Sequence, residues 1–308
     1  MASQPASVAA VVLEPSGRRD APDQPLTTII RRRRHWVIRL VRTPTALVGL
    51  AIMVCMALMA VLAPLLATQD PRAVDLSGQF QPPGPGHWFG TDSAGQDVYS
   101  RVIYGSRLAL GSGLLVLLLA TLAGSIVGIV AGYRGGWVDE VVMRVTDMFL
   151  AFPGLIIAMA VVAAIQQRSL WAIVIAISVR WWTPYARLMR AESLSLRTRD
   201  FVQAARALGA PTSRILIRHV LPNAIAPIVI QATLDLGYII LTAASLSFIG
   251  FGAQPGEPDW GRMVADGREY MRTNPWIIAF PGAAIFLSVL GFNLLGDGLR
   301  DLLDPHLD

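Results

Sequence analysis

The sequence predicts an all-α integral membrane protein with six transmembrane helices and a helix–turn–helix loop at one membrane face. Three observations predict it. The 308 residues are 54% hydrophobic and 15% charged, whereas soluble domains run at about 45–50% apolar and about 25% charged. The apolar residues gather into runs long enough to cross a bilayer core about 30 Å thick, which takes roughly 20 helical residues. The arginines are shared unequally between the loops on alternate sides of those runs, as the positive-inside rule requires.

Composition also excludes chemistry. All 26 basic residues are Arg. A P-loop ATPase needs a Lys to reach the phosphates, and Schiff-base catalysis needs one as nucleophile. The single cysteine, Cys55, lies in an apolar run, so no disulfide framework or cysteine metal cluster is expected. The net charge of +5 is read as a bilayer signal rather than a nucleic-acid one.

Residues 1–40 are expected to form a mostly disordered cytoplasmic tail, rich in Ala, Pro, Ser and Asp without apolar periodicity. Arg31-Arg32-Arg33-Arg34 then precedes the first span, 46–67. An export-signal core is about 7–15 residues, so this longer run reads as an anchored span. The transmembrane domain is expected over 41–308, with further spans at about 108–133, 148–167, 169–186, 223–252 and 275–296. The turn at Gln166-Gln167-Arg168-Ser169 makes the third and fourth spans an antiparallel hairpin. With the N-terminus in the cytoplasm, 18 Arg lie inside and 7 outside, against 12 and 8 acids. Both termini are therefore expected to be cytoplasmic.

The cytoplasmic stretch 187–222 carries seven Arg. Asp200 is placed to cap a helix through Leu208, Gly209 suits the left-handed residue that ends it, and Pro211 blocks its continuation. Thr212 or Ser213 is placed to cap a second helix over 214–220. Phe201, Val202, Ala205 and Leu208 are expected to share an apolar face, and Ala204 and Ala205 are small enough for another surface to approach. Such an element either docks a protein or packs on its own bundle or on anionic lipid.

Arg180 and Asp235 each interrupt an apolar run near its middle. Ionisable groups at that depth normally face a bundle interior or a wet cavity. Either they pair, or they line a polar route through the bundle and meet the charged ends of a zwitterionic guest. The plainer alternatives are snorkelling of Arg180 along Trp181 and Trp182 and a structural hydrogen bond from Asp235. Gly124, Gly128 and Gly132 form a small-residue stripe read as packing within the bundle. The Gly-rich stretch from Gly90 to Asp97 reads as a turn-rich outer lid. Asp92, Asp97, Glu257 and Asp259 either face a partner outside or are simply solvated.

Gln203-Ala204-Ala205, Gly209 and Leu221-Pro222, at this spacing, resemble the cytoplasmic "EAA" motif of ABC-importer permeases, with Gln203 in place of the usual Glu and His219 in place of an aliphatic residue. Arg218-His219-Val220-Leu221-Pro222-Asn223 is similar to the peptide-permease form. Gly90-Thr91-Asp92, Gly95-Gln96-Asp97, Ser100-Arg101, the run Leu246–Gly252, Trp260-Gly261, the ending Asn293–Asp301 and Asp304-Pro305 extend the likeness across about 40–308. The resemblance is to the "C" permease of dipeptide, oligopeptide and nickel importers. It implies a type I importer fold, and half of a pathway completed by a second related permease. It also implies two ATPase subunits that hold ATP and Mg, an extracytoplasmic solute-binding protein, and no cofactor or metal on this chain. Gln203, Ala204, Ala205, Gly209, Leu221 and Pro222 would form the ATPase-coupling element.

Rival readings are weaker. An intramembrane hydrolase needs a nucleophile and base at depth, yet His35, His87, His219 and His306 lie at ends or in loops, and neither Gly-x-Ser-x-Gly nor His-Glu-x-x-His occurs. A secondary transporter typically shows repeated halves, and no repeat is visible. Among importer substrates nickel competes with peptide, and intramembrane His or Cys ligands would favour metal. Only Cys55 is present, so peptide is preferred.

Overall fold

The computed structural model describes residues 44–303 apart from Arg168. The expected tail, 1–40, and Asp304-Pro305 lie outside the described residues. The transmembrane bundle is built from α1 (Pro44–Val61), α3 (Val98–Arg134), the pair α4 (Gly136–Ala151) and α5 (Gly154–Ile165), α6 (Leu170–Leu196), α10 (Ile225–Phe248) and α12 (Trp276–Leu303). Shorter elements are α2 (Ala63–Leu66), α7 (Asp200–Ala207), α8 (Thr212–Ile215), α9 (Leu221–Asn223) and α11 (Trp260–Gly267).

Four helices, α1, α3, α10 and α12, are long and apolar enough to cross a membrane. Helix α6 has the length, 27 residues, but carries Arg180, Arg187, Arg190 and Glu192. Packing supplies the remaining count. A Cβ on Gly124, Gly128 or Gly132 would lie 2.3, 2.2 and 2.6 Å from the carbonyl oxygens of Trp182, Ala186 and Arg190. The partners advance in step, so α3 and α6 run parallel, and the glycines allow backbone-close contact. Parallel neighbours require α4 and α5 together to return the chain. Ala46 meets Gly298 and Gly49 meets Leu295, so α1 and α12 are antiparallel and the described chain begins and finishes at one end. Six passages result.

Several expected boundaries are corrected. The first span ends as a helix at Val61, followed by the separate turn α2. The second begins at Val98 rather than 108; its 37 residues amount to roughly 55 Å, more than the hydrocarbon needs, so its polar first turns project beyond the bundle core. The expected third span, 148–167, is not one helix. Pro153 lacks an N–H and disfavours helical geometry before it. Phe152 accordingly adopts φ −96°, ψ 142°, and α4 and α5 meet at 92°. The fourth span runs ten residues past its expected limit of 186, to Leu196, with Ser169 capping it through Ala172 N–H at 3.2 Å.

The ends of the bundle differ. At one end the 68–97 segment and the 250–259 loop form a cap over α3, α11 and α12. At the other lies the α7–α9 segment.

Candidate functional site

In the α7–α9 segment the expected Asp200 cap does not form. Arg199 holds the cap position and no side chain bonds there, leaving Asp200 as the first helical residue, where its charge still suits the helix N-terminus. Helix α7 ends as expected. Gly209 has φ +78°, its N–H bonds Arg206 O at 2.9 Å, and Ala210 N–H bonds Ala205 O at 3.1 Å. This is a Schellman closure, which favours Gly at the left-handed position. Thr212 and Ser213 do not cap the second helix; Pro211 occupies that position. The expected helix over 214–220 is short α8 followed by a π-turn, Leu216–Val220, closed by Leu221 N–H to Leu216 O. The wider turn accommodates Pro222, whose ring would clash in a tight α-turn.

The expected single apolar face is two faces. Val202 is fully buried, and with Ile215, Val220 and Ala224 it packs on Ala120, Ile129, Tyr185 and Met189 of α3 and α6. Phe201, Ala204 and Leu208, spaced i, i+3 and i+7, point away from the bundle; Leu208 is 88% exposed. Gln203, Leu221, Pro222 and Ile217 are exposed as well, and Ala205 is half-buried between the faces. The anchorage is polar too: Arg206 Nη2 donates to the Tyr133 hydroxyl at 3.1 Å, Gln203 Nε2 to Arg197 O at 3.3 Å, and Arg197 Nη1 to Gly132 O at 3.3 Å. Arg190 forks onto Asp139, and Arg187 pairs with Asp147 at 2.5 Å. These last two pairs join α6 to α4; the segment itself is fixed to α3 and α6 while presenting a small and apolar stripe outward.

Within the bundle, no ion pair joins Arg180 to Asp235 among the described residues; Arg180 Nε and Asp235 Oδ2 are buried without hydrogen-bond partners. Asp235 is 7% exposed; its Oδ1 accepts from Gln231 Nε2 at 3.0 Å, and Tyr185 and Trp181 of α6 stand beside it. Arg180 is near enough for its charge to act on Asp235 but makes no ion pair with it. It lines a cavity of about 300 Å³ with Gly154, Leu155, Trp181, Leu241, Thr242 and Ser245. The two charges therefore serve different surroundings. Sequence reading missed Gly154, Thr242 and Ser245, although Pro153-Gly154 carried a signal as a break inside an apolar run.

The outer acids are also reassigned. Asp97 and Asp259, 3% and 7% exposed, hold the cap together and do not face solvent. Asp97 caps α3 through Ser100 N–H at 2.8 Å and meets His87 Nδ1 at 2.9 Å. Asp259 caps α11 through Arg262 N–H at 3.1 Å and accepts from Ser247 Oγ at 2.8 Å; burial nonetheless pushes its carboxyl above the ordinary carboxylate range. Asp92 pairs with buried Arg101 at 3.7 Å, and Glu257 with Arg72 at 2.9 Å. The Arg101 guanidinium bonds Gln96 Oε1 and reaches Pro71 O, Gly256 O and Glu257 O at 3.3–3.4 Å. Trp260 Nε1 donates to Val102 O at 2.8 Å and Trp276 Nε1 to Thr91 O at 3.1 Å.

A six-passage helical bundle with a hydrogen-bonded cap, a cavity beside Arg180 and an anchored segment offering an apolar stripe is the architecture of a multi-pass membrane protein. The chain belongs to the family of binding-protein-dependent transport system inner membrane components, whose profile matches residues 124–308. The N-terminal transmembrane domain of oligopeptide transport permease C matches residues 32–83. The chain is 42% identical, over 93% of its length and 94% of the relative's, to a dipeptide transport system permease protein of Alkalihalophilus pseudofirmus. It is 44% identical to a glutathione transport system permease protein of Pectobacterium atrosepticum, over 73% of this chain and 74% of that one. Identity to a nickel transport system permease protein of Escherichia coli is 40%, over 89% and 95% of the two chains.

Proposed function

We propose that this chain is one of two permease subunits of an ATP-driven importer of di- and oligopeptides in the cell membrane. It forms half of the translocation pathway, and a second related permease forms the other half. The α7–α9 segment seats on one of two cytoplasmic ATPase subunits, which carry the ATP and Mg. A solute-binding protein delivers substrate to the capped end. Both termini are then cytoplasmic, as the arginine distribution requires.

The observation that carries this reading is the two-faced α7. Val202 is buried in the bundle while Phe201, Ala204 and Leu208 project outward. A force applied to the outward stripe passes through Val202, Ile215 and Val220 to α3 and α6. An ATPase that rocks this segment would therefore move the bundle as a packed unit, since close-packed interiors transmit displacement. ATP chemistry belongs to the partners because this chain has no Lys to serve a P-loop.

The test is purification of the tagged chain in mild detergent with mass spectrometry of what co-elutes. A second permease and ATPase subunits are expected with the wild type. Ala204→Trp and Leu208→Glu should each lose the ATPase subunits and retain the second permease. A lone chain in several detergents overturns the reading. Substrate class is read by uptake in the reassembled complex. The similarity to glutathione and nickel permeases makes these the competing substrates, and uptake of Ni²⁺ in preference to dipeptide would establish the nickel alternative.

A further inference from the structure

Arg180 is ten residues into α6 from its capped end, about 15 Å along the axis, which is half of a hydrocarbon layer about 30 Å thick. A cation there is costly unless it is paired or faces water. No acidic residue lines its cavity, its Nε has no partner, the Trp181 ring lies 5.8 Å from Cζ to centroid, and Asp235 acts on it through space without an ion pair. The opposite wall is the start of α5. The first helical bonds of α5 come from Ile156 and Ile157 N–H to Pro153 O. The preceding N–H groups, of Gly154 and Leu155, therefore have no helical acceptor. Both residues line the cavity. A Cβ at Gly154 would sit 2.7 Å from Arg180 Cδ, so glycine lets the guanidinium lie against this helix end without displacement. Thr242 and Ser245 close the third wall. Their hydroxyls rest on Tyr238 O and Leu241 O of their own helix, at 2.7 and 2.8 Å, and are free to swing toward a guest.

We infer that this cavity is an anion subsite that receives the C-terminal carboxylate of a peptide as it passes through the bundle. The inference rests on the peptide-importer reading. A guanidinium fork matches a carboxylate with two parallel N–H···O bonds, and a helix N-terminus adds uncommitted donors and positive potential. With no carboxylate on the walls, the cavity disfavours cations. Leu155, Leu241 and Trp181 offer apolar surface beside the charge, suited to the C-terminal side chain. A volume of about 300 Å³ holds one residue with its carboxylate, not a whole oligopeptide, so the site engages one end of the substrate. Asp235 is not part of it.

The test uses the complete importer with its binding protein in proteoliposomes, and follows ATP-driven uptake of alanyl-alanine and of its C-terminal amide. Comparing the acid-to-amide ratio of each variant with that of the wild type, with the same binding protein, cancels the binding protein's own preference. Arg180→Gln should lower uptake of the acid at least about tenfold more than uptake of the amide, the scale expected for a lost charge-assisted hydrogen bond. Arg180→Lys should keep most of the wild-type preference. Equal losses for acid and amide in Arg180→Gln, with the complex still assembled, would overturn the subsite and leave a structural cation. Undiminished uptake of both compounds in Arg180→Gln would also overturn it. Uptake of neither compound by the wild-type complex while ATP is hydrolysed would overturn the peptide reading and the subsite together.

Discussion

The capped end and the α7–α9 end solve opposite problems with the same residue types. In the cap, charged groups are buried and bonded. Arg101, Asp97 and Asp259 are each under a tenth exposed, and the Arg101 guanidinium alone ties the 68–97 segment to the 256–257 backbone. At the α7–α9 end the polar contacts are peripheral, and apolar side chains are left outside: Leu208 at 88% exposed and Ile217 at 68%. A region that satisfies its own polar groups is complete in one chain. A region that leaves apolar side chains exposed offers a surface for interaction. The difference teaches that the cap is braced within itself, whereas the α7–α9 segment keeps an apolar face outward.

The comparison is most exposed to failure at Arg101. Arg101→Ala removes a buried guanidinium from Asp92, Gln96 and three carbonyls, and should destabilise the isolated chain by about 3–5 kcal/mol, the usual result of removing one member of a buried pair. Thermal unfolding in detergent reads this. Leu208→Glu, in the same assay, should leave the melting temperature within error, since surface substitutions away from special features seldom move stability. If the two variants melted alike, the contrast between the ends would collapse.

A smaller effect sharpens it. Gly209→Ala forces a Cβ onto a residue at φ +78° and should cost about 1 kcal/mol. No atom lies within 4 Å of the added Cβ, so the cost is backbone strain alone. Hydrogen exchange should place the loosening in α7 and α8, with the cap unaffected.

The smallest expected effect is on pH dependence. Burial raises the Asp259 carboxyl above its ordinary range. The folded state then binds a proton that the unfolded state has already released. Stability should accordingly fall as pH rises from the ordinary carboxylate value, about 4, through the raised one. Asp259→Asn should flatten that slope in melting curves taken across the window. An unchanged slope would mean that the anion is held by Ser247 and Arg262 N–H with no net penalty.

The one-dimensional signals carried much of this architecture. Run length found the six passages because a bilayer sets a minimum helix length whatever the neighbours are. Gly209 and Pro211 marked the end of α7 because left-handed geometry and a missing N–H are local constraints. The Gly124–Gly128–Gly132 stripe announced a close contact, since three small residues on one helix face have few other uses.

The sequence by itself determined that this is an all-α membrane protein and that a short helix closes at Gly209 in the segment after α6. Those conclusions follow from chain-local quantities: hydropathy and glycine and proline geometry. Only the tertiary structure decided which partner each side chain meets. It separated Arg180 from Asp235, giving one a cavity beside Gly154 and the other Gln231 and Tyr185. It turned Val202 inward and Leu208 outward from what had read as one face, and it buried Asp97 and Asp259 in the cap. Charge, size and periodicity state what a residue needs. Contacts between helices distant in the chain decide where the need is met.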